Sequence, residues 1–154
     1  MKIQTRKLPT LKGNIKLDIG CGNKTEKGFI GIDRRDCGQE IVWDVREGIP
    51  LPDNSVDFIW SSHVLEHFDN DECKELFREI YRVLKSGGVI QSILPHALDP
   101  TAFYFDHKTF WNEARVETLP GVPGLEGFKI TKNVMTNKNN TRARLELLFE
   151  LRKL

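Results

Sequence analysis

Leu17-Asp18-Ile19-Gly20-Cys21-Gly22, closed further on by Gly31-Ile32-Asp33, reads as a strand, a glycine-rich turn and a second strand ending in a carboxylate. Ile15, Leu17 and Ile19 are alternating apolar strand positions, while Gly20 and Gly22 let the backbone turn sharply and approach a ligand closely. Asp33 ends the apolar run Phe29-Ile30-Gly31-Ile32. A carboxylate there is suited to the hydroxyl pair of a ribose, so an adenosine-containing ligand fits the arrangement.

A dinucleotide is poorly served by it. The dinucleotide pattern needs a third glycine and an acidic residue roughly 20 positions on. Here Thr25 stands at the third glycine position, and Asp33 arrives 13 residues after Gly20. Between Gly22 and Phe29 there is hardly room for the helix whose N-terminus would receive a pyrophosphate. Asp18, just before the glycines, repels phosphate and suits a cationic, amino-bearing cofactor. S-adenosylmethionine carries a sulfonium and an ammonium and no phosphate.

The segment Leu17 to Gly22 resembles the first motif of class I S-adenosylmethionine-dependent methyltransferases, in a short form of the type 11-like branch. Asp44, followed by Leu51-Pro52-Asp53-Asn54-Ser55-Val56-Asp57-Phe58-Ile59, is similar to the family's D…LPF-x-D-x-S-F-D-x-I segment. Ser61-Ser62-His63-Val64-Leu65-Glu66-His67 resembles its V-L-E-H strand end. Tyr81-Arg82-Val83-Leu84-Lys85-Ser86-Gly87-Gly88 resembles its R-V-L-K-P-G-G turn, with Ser86 in place of proline. These motifs stand in family order over residues 15–95. The resemblance implies a Rossmann-like α/β fold, mostly parallel, with a C-terminal antiparallel hairpin. It implies methyl transfer from S-adenosyl-L-methionine to an N, O or C atom of an unidentified acceptor.

The implied cofactor-binding residues are Asp18, Gly20, Cys21, Gly22, Asp33, Asp44, Val45 and His63. Asp33 is expected to hold the ribose and Asp18 to orient the methionine ammonium. Asp44 is expected at the adenine amino group, Val45 at a ring nitrogen through its amide, and His63 where the methyl group emerges. Glu66 and His67 read as structural. After the fifth strand, His96, Asp99, Asp106 and His107 lie where open parallel sheets present substrate groups. His63, His96, Asp99 and His107 are the candidates for acceptor binding or proton removal. Their spacing is not that of a metal site, and none is expected.

A chain of 154 residues with 39% hydrophobic and 29% charged residues is expected to form one domain. An arm over 1–14 precedes a cofactor-binding half over 15–95 and a substrate-side half over 96–154. Strands are expected near 15–19, 29–33, 41–43, 56–61 and 89–94. Leu76, Phe77, Ile80, Val83 and Leu84 repeat at helical spacing, predicting a helix over 69–84 capped by Asp69 or Asn70. Phe128 to Val134 and Arg142 to Phe149 flank Asn137-Lys138-Asn139-Asn140 and read as a hairpin. The connections after Gly22 and after Asp33 are too short for full crossover helices, leaving one sheet face thinly covered.

A net charge of +1 predicts no partner by itself. The closing hairpin is basic (Lys129, Lys132, Lys138, Arg142, Arg144, Arg152, Lys153), which offers weak phosphate contact or, more simply, a solvated strand edge. A nucleic-acid-binding module is therefore a distant alternative, and a cofactor-binding pseudo-enzyme or regulatory subunit a nearer one. Cys21, Cys37 and Cys73 show no C-x-x-C spacing and are expected to be reduced thiols in the cytoplasm. No apolar run is long enough to span a membrane.

Overall fold

The computed structural model describes residues 4–5, 12–137 and 144–154. Among the described residues, eight strands form a single sheet in the order β1-β4-β3-β2-β5-β6-β8-β7. They are β1 (Gln4–Thr5), β2 (Lys16–Ile19), β3 (Ile30–Asp33), β4 (Ile41–Val42), β5 (Val56–Ser62), β6 (Leu84–Pro95), β7 (Phe128–Asn137) and β8 (Leu145–Lys153). The pairings β2–β3, β2–β5, β3–β4 and β5–β6 are parallel, and β6–β8, β7–β8 and β1–β4 are antiparallel. The fold is α/β, a mostly parallel sheet closed by an antiparallel C-terminal pair. The tip expected at Lys138-Asn139-Asn140 lies outside the described residues.

Strand order reverses between β2 and β5, and such a switch point opens a crevice at the carboxyl ends of the strands. The central strands are apolar on both faces, as a doubly covered parallel sheet requires. Leu17, Ile32, Ile59 and Ile90 are fully buried.

One long helix, α1 (Asn70–Val83), covers the sheet with Leu76, Phe77, Ile80 and Val83 turned inward. Its start follows the expected chemistry. Asp69 Oδ1 accepts from the amides of Asp71 (3.0 Å) and Glu72 (2.9 Å), and Glu72 Oε2 accepts from the Asp69 amide (2.8 Å). This reciprocal cap stabilises a helix start by about 0.5–2 kcal/mol. Beside α1, Trp111 is buried and stacks on Phe149 of β8 at 5.8 Å between ring centroids, while Phe77 packs on both rings.

The motif segments after β4 and at the end of α1 meet in space. Arg82 donates to Glu79, Asp53 and the carbonyls of Ile49 and Leu51. Asp57 accepts from the Ile15 amide (2.8 Å) and from Lys85 Nζ (2.7 Å). These charged residues clamp the crossover around β5, because a buried or half-buried backbone carbonyl needs a donor.

The two short connections carry no helix, and β3 is nonetheless buried along its length. The connections themselves lie on the strand. A Cβ built on Gly31 would come within 3.0 Å of Thr25 Oγ1 and Cys21 Sγ, so glycine makes room for that loop to press flat. Gln39 replaces the hydrogen bonds of the second crossover: its Nε2 reaches the carbonyls of Arg35 (2.7 Å), Asp33 (3.1 Å) and Ile41 (3.2 Å). The thinly covered face is thus sealed by loops.

Within the arm over 1–14, Gln4–Thr5 pairs antiparallel with β4 at the sheet's edge. β8 runs to Lys153 and α1 passes directly into β6, both longer than the sequence pattern indicates.

Candidate functional site

At the carboxyl ends of β2, β3, β4 and β5 lies a cavity of about 750 Å³, lined among others by Gly20, Asp33, Trp43, Asp44, Val45 and His63. The volume is within the range that holds a ligand of nucleoside size, about 300–1,000 Å³. A second concavity of about 470 Å³ lies along the start of α1 among Asp69, Asp71, Glu72, Glu75 and Glu79. It lies away from the glycine turn, and its carboxylates sit on a solvated helix face.

Gly20 forms the rim where β2 ends. Its φ is +68°, and a Cβ there would fall within 3.0 Å of Val64 Cγ2. The Gly20 amide donates to Ile32 O at 2.8 Å, pinning the turn to β3. The closest approach at this glycine is therefore to Val64, itself a wall of the cavity.

Asp33 ends β3 and is buried, with Oδ2 accepting from the Gly22 amide (3.0 Å) and Oδ1 from the Arg35 amide (2.9 Å). Each carboxylate oxygen keeps a further lone pair. Asp18 does not line the cavity. It lies beneath the turn, where its carboxylate accepts from the Glu26 amide at 2.9 Å. Burial pushes the Asp18 pKa up to about 6, against the lowering effect of that hydrogen bond. Gly22 and Cys21 also lie outside the cavity lining; Gly22 supplies the amide on Asp33, and Cys21 Sγ lies against β3. Burial raises the Cys21 thiol to about 11, which leaves it an inert packing group.

Asp44 and Val45 line the opposite wall. Asp44 Oδ1 caps the short 3-10 turn Val45–Glu47 by accepting from the Arg46 amide at 3.0 Å. Arg46 is fixed by Glu72 (2.9 Å) and lies over the Phe68 ring at 4.3 Å. Trp43, Val64 and Phe68 complete the apolar part.

His63 has φ +55°, one of two non-glycine residues in the left-handed region among the described residues. Such a conformation is uncommon and clusters at functional sites. Its ring lies between two carboxylates, with Nδ1 3.3 Å from Glu66 Oε1 and Nε2 3.0 Å from Glu146 Oε1. Glu66 above all, and then Glu146, hold its pKa above the ordinary value despite burial.

The other candidates for acceptor chemistry separate. His96 is buried; its Nδ1 accepts from the Leu98 amide (3.1 Å), which leaves Nε2–H to donate to Glu113 (2.9 Å). Asp99 caps the 3-10 turn Pro100–Phe103 through the Thr101 amide and binds the Leu145 amide at 2.6 Å. Neither lines the cavity, because the end of β6 turns them into the loop that receives β8. His107 lies against His67, with ring centroids 4.9 Å apart. Of the basic hairpin residues, Lys153 donates to the Tyr81 and Leu84 carbonyls and Arg152 to the Gly87 carbonyl. Lys138 and Arg142 lie outside the described residues.

Sequence reasoning did not find Trp43, Phe68, Arg46 or Glu146. Glu146 had no local signal, since it reaches His63 only through the β6–β8 register, in which Pro95 faces Glu146. Apolar residues beside Asp44 and His63 were the available hint of an aromatic-lined wall.

The sheet, with its crevice at the β2–β5 switch point and an acidic residue ending β3, is Rossmann-like. Residues 26–91 match the family model described as a methyltransferase domain. Solved structures share the fold at low identity. A protein described as an S-adenosylmethionine-dependent methyltransferase, from Methanosarcina mazei, is 18% identical, with a TM-score of 0.70 and 92% of each chain covered. The [4+2]-cyclase SpnF is 17% identical with a TM-score of 0.68, over 94% of this chain and 76% of its own. A Haemonchus contortus phosphoethanolamine N-methyltransferase, solved with phosphomonomethylethanolamine and S-adenosylhomocysteine, is 17% identical with a TM-score of 0.68, and this chain spans 50% of it. No functionally curated protein matches the sequence significantly. Among the described residues no helix is long and apolar enough to cross a membrane.

Proposed function

We propose that the chain binds S-adenosyl-L-methionine in the cavity at the β2–β5 switch point and transfers its methyl group to an N, O or C atom of an acceptor. The observation that carries this reading is the composition of the cavity: a ribose-type carboxylate, Asp33, at one end and an apolar wall of Trp43, Val45, Val64 and Phe68 beside it. No phosphate cradle accompanies them, since the glycine turn leads into a loop rather than a helix.

Asp33 would accept from the ribose hydroxyls through the lone pairs its two backbone donors leave over. Asp44 and Val45 would meet the adenine edge against Trp43 and Phe68. Asp18, behind the turn, places negative charge near the end that receives the ammonium. The bound cofactor supplies a methyl group already activated by its sulfonium. The chain's task is then to align the acceptor, and good alignment contributes on the order of 7–11 kcal/mol to such reactions. His63 is an unsuitable base, because its two flanking carboxylates favour the imidazolium, which donates.

A second reading, cofactor binding without transfer, is favoured by the helix-less crossovers. The cyclase with this fold illustrates that the fold alone does not decide the activity. Titration calorimetry with S-adenosylmethionine tests binding. Asp33→Ala is expected to weaken it by about 1.5–3 kcal/mol, the worth of hydrogen bonds to a charged group. A change below threefold refutes the assignment. Incubation of labelled cofactor with a cell extract then separates transfer from binding alone.

A further inference from the structure

We propose that Glu66, His67 and His107 form a binding site for a divalent transition metal of the zinc class, beside the cofactor cavity. One ligand atom from each lies within 4.8 Å of the others. His67 also lines the cavity, so the site opens on it.

Three observations carry this. The first is Glu66, which is 2% exposed with neither carboxylate oxygen in a hydrogen bond. His63 Nδ1 stands 3.3 Å from Oε1, an ion-pair neighbour outside hydrogen-bond geometry. Oε1 thus faces the His63 ring, while Oε2 is buried with no partner, and an unpartnered buried carboxylate oxygen is costly unless a donor or cation meets it.

The second is the state of the two imidazoles. His67 Nδ1 lies 3.1 Å from the Asp106 carbonyl, and His107 Nδ1 lies 3.3 Å from the Ala102 carbonyl. A carbonyl only accepts, so each Nδ1 carries the proton. Nε2 is then the ring nitrogen left over for a ligand. Metal-binding histidines are oriented in this way, with the remote N–H held by a backbone carbonyl or carboxylate.

The third is that the backbone builds the cluster. The amides of Lys108 (2.7 Å) and Thr109 (3.2 Å) both donate to Glu66 O, and Thr109 Oγ1 bonds the Leu65 and Phe68 carbonyls. The loop carrying His107 is thereby fastened to the turn carrying Glu66 and His67.

Two imidazoles and one carboxylate favour zinc-class ions over magnesium or calcium, which prefer all-oxygen shells. Three protein ligands leave at least one position open, as at catalytic rather than structural zinc sites. With metal–ligand lengths near 2.0–2.2 Å, tetrahedral ligand atoms lie roughly 3.3 Å apart. Closing from 4.8 Å requires a small movement of His67, whose side chain is 36% exposed and hinged on its Nδ1 contact with Asp106. Asp106 Oδ1, 4.0 Å from His107 Nε2, is within reach as a further oxygen ligand.

The assignment does not depend on the methyltransferase reading, and its test needs no turnover. Chelator-treated protein is titrated with Zn²⁺ against a chromophoric competitor, and with Co²⁺ by visible absorption. The expected result is one equivalent per chain, with the d–d bands of a four- or five-coordinate Co²⁺ site. His67→Ala and His107→Ala should each weaken Zn²⁺ by more than about 100-fold, beyond the 10–100-fold cost of losing a supporting residue. Cys37→Ser should leave it unchanged. Glu66→Gln should weaken it too, and if that variant misfolds the histidine variants decide. Circular dichroism of the metal-free variants checks their fold. Absence of saturable one-equivalent binding overturns the proposal, as does binding that survives both histidine substitutions.

Discussion

Gly20→Ala adds one methyl group at the point where the glycine turn meets the wall of the cavity. The new Cβ falls within 3.0 Å of Val64 Cγ2 and 3.3 Å from Cγ1, against an optimum of about 3.5–4.0 Å for two carbons. Both methyls of Val64 face the glycine, and a β-branched side chain has one strongly preferred rotamer. Rotation therefore exchanges one clash for another. Overpacking of this kind costs about 1–3 kcal/mol. The φ of +68° adds about 1–2 kcal/mol for any residue with a Cβ. Gly20→Ala should thus destabilise the fold by about 2–5 kcal/mol, within what a domain of about 5–15 kcal/mol tolerates.

Val64→Ala removes both offending methyls. At about 0.8 kcal/mol per buried methylene, and with Val64 half-buried, it costs roughly 1 kcal/mol on its own. In the double variant the clash is gone and the φ term remains. Urea denaturation of the four proteins should then give a favourable coupling of about 1–3 kcal/mol. Calorimetry on the same proteins reads whether cofactor binding returns with the clash relieved. Additivity within about 0.5 kcal/mol would refute the close approach of Gly20 and Val64.

Asp18, with its pKa pushed up to about 6 from 3.8 by burial, binds its proton more tightly in the folded state than in the unfolded one. Its contribution is therefore most favourable below pH 4 and is lost as pH rises towards 6. Asp18→Asn should match the parent near pH 4 and exceed its stability at pH 8, by on the order of 2–3 kcal/mol; a stability difference that stays flat from pH 4 to pH 8 argues against the buried carboxylate. Trp111→Ala should cost about 3–5 kcal/mol in denaturation, since it empties the space between Phe77 and Phe149; a loss under 1 kcal/mol would mean that this cluster does not anchor β8.

The sequence by itself determined the frame. The alternation Ile15, Leu17, Ile19, the positive-φ glycine at 20 and the carboxylate at 33 are local patterns, and local sterics and periodicity suffice to read them. The helical stripe on α1 and its Asp69–Glu72 cap are legible for the same reason. Motif order then implied the strand order on which the crevice depends. The tertiary structure decided which side chains share a space. His96 and Asp99 looked like substrate groups because they follow a strand, yet the His96 ring is consumed by Glu113 and the Asp99 carboxylate in fastening the start of β8. Glu146 meets His63 across 83 positions, and His107 meets Glu66 and His67 across about 40, through strand register and a loop held by two amides. Such meetings are set by pairing partners distant in the chain. No periodicity within one segment encodes them, and only folding brings those charges and lone pairs within reach of one another.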